Sequence, residues 1–85
     1  SFETLIDGAS VGLETPAGLA LVADLLLIGD NASGVIHAFD LSGNPVGSID
    51  TGLNSGALMG FQVDGLDEIW VTDVAGDRVL RIRLL

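Results

Sequence analysis

Apolar and polar positions alternate in short runs along this chain, and small or polar turn residues separate the runs. Leu80, Ile82 and Leu84 interleave with Arg81 and Arg83, and His37 shares the phase of Phe39, which is the two-residue period of a β-strand with unlike faces. The pattern predicts eight short strands, at about Phe2 to Ile6, Gly18 to Ala23, Leu25 to Gly29, Val35 to Leu41, Pro45 to Ile49, Gly60 to Asp64, Glu68 to Thr72 and Arg78 to Leu84. Turn chemistry stands between them at Asp7-Gly8, Asn31 to Gly34, Ser42 to Pro45, Thr51 to Gly56 and Ala75 to Asp77.

Ala17 to Ile28 (AGLALVADLLLI) competes with this reading, because its Ala and Leu content favours a helix. An internal repeat decides the matter. Sliding the chain by 43 residues lays Ile6 and Asp7 on Ile49 and Asp50, Asp30 on Asp73, Ala32 on Ala75 and Leu41 on Leu84, while Gly18 meets Gly60 at a shift of 42. The second copy of the stretch, Ala57 to Asp73, has β-branched and aromatic residues on both sides of Asp64-Gly65, so two strands and a turn fit both copies. A period in the 40 to 45 residue range belongs to four-stranded propeller blades, whereas ankyrin and tetratricopeptide units are shorter and helical.

The residues then resemble a known family. Pro16 to Leu21, followed by Leu26 to Asn31 (LLIGDN), Val35 to Asp40 (VIHAFD) and Ser42-Gly43, resemble the NHL-type repeat of six-bladed β-propellers. The second copy keeps Ile69 to Asp73 (IWVTD) and Arg78 to Ile82 (RVLRI), with Arg78 where such repeats commonly carry Arg; the first copy has Val35 there. The resemblance implies an all-β chain of two four-stranded antiparallel blades. Residues 1–7 are then a swapped or closing outer strand, 17–50 the first blade, and 57–85 a second blade lacking its outer strand.

Composition fits a piece of a larger ring. The chain has 85 residues, 48% of them hydrophobic and 18% charged, with a mean hydropathy of +0.58 and no cysteine. A lone domain this small, with its high surface-to-volume ratio, calls for more polar cover. Blades packed on both sides do not, so the apolar faces carrying Val79, Leu80, Ile82 and Leu84, with the strand of Phe2, Leu5 and Ile6, are expected to be assembly surfaces. The partner is the chain itself, as a cyclic homo-oligomer with a trimer of six blades first, or the remaining blades of a longer chain. A start at Ser1 without Met favours a processed product or fragment.

Twelve acidic residues against three basic ones give a net charge of −9, which opposes nucleic acid and anionic membranes. The longest apolar run, Leu19 to Ile28, is interrupted by Asp24 and falls short of a membrane span. The compartment is open, and a soluble protein, secreted or periplasmic, fits.

Asp30 and Asp73 end equivalent strands, and the plain expectation is that each caps a turn through backbone N–H groups. The resemblance also reaches lactone-hydrolysing propellers, which implies Asp30, Asn31 and Asp73 as candidate Ca²⁺ ligands. No cofactor is otherwise expected. The sole histidine, His37, is expected to pack between blades, and a triad composed from Ser33, His37 and Asp40 is discarded because no nucleophile elbow surrounds the serine. Trp70 is expected in the core, with ligand stacking as the alternative, and Gln62 on an innermost strand is a candidate ligand contact near the ring axis. Arg81 and Arg83 are expected on one face, paired with carboxylates. These features favour a non-enzymatic scaffold or binding module. The alternatives are a Ca²⁺-assisted lactonase-like hydrolase and an excised or engineered fragment without evolved activity.

Overall fold

The computed structural model describes residues 3–64 and 68–83. A four-residue helix, α1 (Gly8–Val11), precedes seven strands: β1 (Pro16–Val22), β2 (Leu25–Asp30), β3 (Val35–Asp40), β4 (Pro45–Asp50), β5 (Leu58–Asp64), β6 (Glu68–Asp73) and β7 (Arg78–Arg83). All neighbours are antiparallel. The first sheet has the order β1-β2-β3-β4 and the second the order β5-β6-β7.

The repeat seen in the sequence reappears as a shared register. β2 and β3 lie 43 residues before β6 and β7, and β1 lies 42 before β5. Pro16 pairs with Asp30 and Leu19 with Ile28 across an irregularity; Leu58 pairs with Asp73 and Phe61 with Val71 across an irregularity at the same place. The backbone bonds repeat too, since Asn31 N–H donates to the Thr15 carbonyl and Val74 N–H to that of Ala57.

The Leu-rich stretch is two strands, joined at Ala23-Asp24 with Ala23 in the left-handed region (φ 53°). Burial explains why helix propensity loses. Pleating sends Leu27 into the space between the sheets and leaves Leu19 and Leu21 on the opposite, open face. The core between the sheets joins Leu27 and Ile36 of the first sheet to Leu58, Phe61, Ile69 and Val71 of the second, with Leu53 and Ala57 from the connecting loop. The ring of Phe61 approaches the first sheet closely at Gly29 and Gly18, where an added Cβ would stand 3.2 Å and 3.1 Å from ring carbons.

Three expectations change. Glu3 to Asp7 forms no strand within the single chain; the segment passes Gly43 at the Leu5 carbonyl, and Asp7 caps α1 in place of an Asp7-Gly8 turn. Leu80 and Ile82 face the core and not the open surface, because strand alternation turns only Val79, Arg81 and Arg83 outwards. Trp70 is 39% exposed and lies outside the core, since its neighbours Ile69 and Val71 take the inward positions. Phe2 and Leu84 lie outside the described residues.

Candidate functional site

The recurrent aspartates form two equivalent corners. Asp30 is 1% exposed, and its Oδ1 accepts from the Thr15 and Ala32 N–H groups at 2.9 and 3.3 Å, while Oδ2 accepts from the Ser33 hydroxyl at 2.9 Å. Burial raises its pKa, but the bonds from Thr15, Ser33 and Ala32 together outweigh burial, and the net shift is downwards. Asp73 sits at the same point of the second sheet. Its Oδ2 accepts from Arg78 Nε at 2.8 Å and its Oδ1 from Gly76 N–H at 2.9 Å; the guanidinium bond foremost, then the backbone bond, holds this carboxyl below the usual range.

The two corners also show how the repeat tolerates its own variation. Arg78 occupies in the second sheet the place that Val35 holds in the first, so Asp30 lacks a guanidinium. The Ser33 hydroxyl takes that oxygen instead. Turn capping through backbone N–H groups, the plainer expectation, accounts for the Ala32 contact of Asp30 and the Gly76 contact of Asp73; the Thr15, Ser33 and Arg78 contacts go beyond it.

The suitability of these residues for calcium follows from the same contacts. Asn31 donates its carboxamide N–H to the Leu58 carbonyl at 2.7 Å, tying the end of β2 to the start of β5, and its main-chain carbonyl accepts from Gly56 N–H. Asp30 faces N–H and O–H donors, and Asp73 faces a cation. Among the described residues no three His, Cys, Asp or Glu side chains stand close enough to share a metal. The arrangement suits hydrogen-bond donors and does not fit a divalent ion.

The two residues singled out for ligand contact do come together. Gln62 and Trp70 are cross-strand partners on the outer face of the second sheet and line a hollow of about 320 Å³ with Gly60, Thr72 and Val79. Trp70 lies opposite Arg81 across the β6–β7 ladder, and the guanidinium carbon stands 5.5 Å from the indole centroid, a cation–π contact. Arg83 reaches Glu68 at 3.6 Å. Arg81 thus pairs with an aromatic face and Arg83 with a carboxylate. The Trp70–Arg81 contact escaped sequence reasoning, although the turn at Ala75 to Asp77 sets a register in which those two residues oppose each other.

His37 is half-buried on the outer face of the first sheet, its ring 6.4 Å from that of Phe39 at 28°, and so is not between the two sheets of the single chain. Ser33 is committed to Asp30, and Asp40 accepts from Ser42 and Asn44, so neither turns towards His37. Of the expected assembly residues, Leu5 and Val79 are exposed (47% and 66%) and Ile6 is half-buried. Among the described residues no helix is long and apolar enough to cross a membrane. No family model and no curated protein matches this chain.

Proposed function

We propose that this chain is a non-enzymatic β-propeller scaffold or binding module of the NHL type, built as two blades and completed by copies of itself. One observation carries the reading: two sheets share one register, yet β3 is flanked by β4 while β7, at the same place in the second sheet, has no fourth strand among the described residues. The segment Glu3 to Asp7 matches Val46 to Asp50 at the repeat distance, and Asp7 accepts from Ala9 N–H as Asp50 accepts from Gly52 N–H. The N-terminal segment of a neighbouring copy therefore supplies the outer strand of the second blade, removing an edge that would otherwise invite uncontrolled pairing. Three chains make six blades.

Binding in such a module falls to the loops at one end of the ring, while Gln62, beside Trp70 on the outer face of the second sheet, lies on the surface that meets the next blade. The aspartate corners support a structural role, since their oxygens are engaged within the chain.

Native mass in solution tests this. A particle of about three times the 8.7 kDa chain supports the ring; a compact monomer removes it and leaves the missing strand to a longer chain. A calcium-dependent rise in melting temperature would favour the lactonase-like alternative instead.

A further inference from the structure

We infer that the hollow beside Trp70 on the second sheet is the seat of Leu19 from a second copy of this chain. The inference rests on the assembly proposed above. It adds which side chain fills which space.

The packing inside one chain supplies the template. Phe61 of the second sheet fills the depression that Gly18 and Gly29 leave in the first. The shared register carries each of these positions to its counterpart: Gly18 to Gly60, Gly29 to Thr72, and Phe61 to Leu19. Gly60 and Thr72 line the hollow of about 320 Å³ on the outer face of the second sheet. Leu19 stands on the opposite outer face of the molecule, 66% exposed. A head-to-tail contact that repeats the internal one brings Leu19 of one copy into that hollow in the next.

The sizes change together. Where glycine floors the internal depression, threonine floors the open one; where phenylalanine fills the first, leucine is offered to the second. The Thr72 hydroxyl donates to the Gly60 carbonyl at 3.1 Å, so the larger floor brings a methyl group and no unmet hydrogen bond. A smaller plug over a higher floor preserves close packing.

Charge favours a second copy as the occupant. All three arginines of the chain lie on β7: Arg81 stands over Trp70 at this hollow, Arg83 shares its outward face, and Arg78 is turned to Asp73 at the end of the strand. Val35 pairs with Asp50 in the first sheet, so the same register places Asp7 of the incoming copy opposite Arg78, with Glu3 on the same segment. Opposite charges facing across a ladder stabilise the pair and select the register.

The test uses the full chain, its native mass measured by sedimentation across a concentration series. Leu19→Ala is expected to weaken association at least about tenfold with the strand signal of circular dichroism unchanged, because Leu19 is exposed in the single chain. Leu19→Phe weakens it too, and adding Thr72→Gly restores it by rebuilding the Phe61–Gly29 pair in trans. Wild type that assembles while Leu19→Ala assembles equally well overturns the seat and leaves the ring standing, as does a double variant no better than Leu19→Phe. A monomeric wild type overturns the second copy as occupant together with the ring, and gives the hollow to another blade of a longer chain.

Discussion

Arg78 and Asp73 form a hydrogen bond of 2.8 Å between opposite charges that closes the β6–β7 turn, at the position where the first sheet closes its own turn with the neutral Ser33 hydroxyl on the Asp30 carboxylate. Both aspartates are buried, but one is held by an arginine whose side chain is 60% exposed and the other by a neutral hydroxyl and two backbone N–H groups. Substitutions at the two aspartates are therefore not equivalent.

Asp30→Ala removes a buried carboxylate and the bonds it accepts from the Thr15 and Ala32 N–H groups and the Ser33 hydroxyl. The expected loss is about 1–3 kcal/mol, read as a lower urea midpoint at unchanged slope. A variant within about 0.5 kcal/mol of wild type would show that water replaces the carboxylate at this site.

Acid should destabilise the fold. Asp30, Asp40 and Asp73 all have lowered pKa values: Asp30 through donors that outweigh its burial, Asp40 through the Asn44 N–H and carboxamide, and Asp73 through Arg78. A depressed carboxyl contributes stability that is fully present above the unfolded value of about 3.9 and lost as pH falls through the folded value. Denaturation midpoints measured down to about pH 2 should fall in that window, less steeply for Asp73→Asn. A midpoint that rises on acidification would show that relief of the −9 net charge outweighs these bonds.

Gly34 and Asp77 are repeat equivalents, both left-handed, at φ 75° and 52°. Gly34→Ala combines about 1–2 kcal/mol of backbone strain with a collision against the Leu53 carbonyl. Asp77→Gly relieves strain and costs chain entropy, leaving a change of at most about 1 kcal/mol. Thermal melts of the two variants should move by clearly different amounts; equal losses would argue against a shared turn geometry.

Trp70 reports on the outer face, being the sole tryptophan. On dilution below the association range its fluorescence should shift to the red as the indole meets water, and Arg81→Ala should quicken quenching by acrylamide in the dissociated chain. An emission maximum independent of concentration would mean that this face is never covered.

The repeat was legible because strand spacing and turn residues recur at 43 and 42 residues regardless of packing. It placed seven strands within a residue or two in most cases. The starts of β1 and β5 run earlier, at Pro16 and Leu58, because those residues pair with Asp30 and Asp73 beyond an irregularity that no propensity announces. The aspartate corners were legible as turn caps, but the exchange of an arginine for Ser33 was not, since it depends on where a hydroxyl points after the turn closes.

The sequence alone determined the strands, their period and the acidic balance, which follow from local alternation and composition. Only the tertiary structure decided that Leu80 and Ile82 face inwards while Trp70 faces out, and that Leu19 is left uncovered. Alternation tells which residues share a face, but not which face meets another sheet; that choice is made by the fit of one surface to the next, here by Phe61 over Gly18 and Gly29.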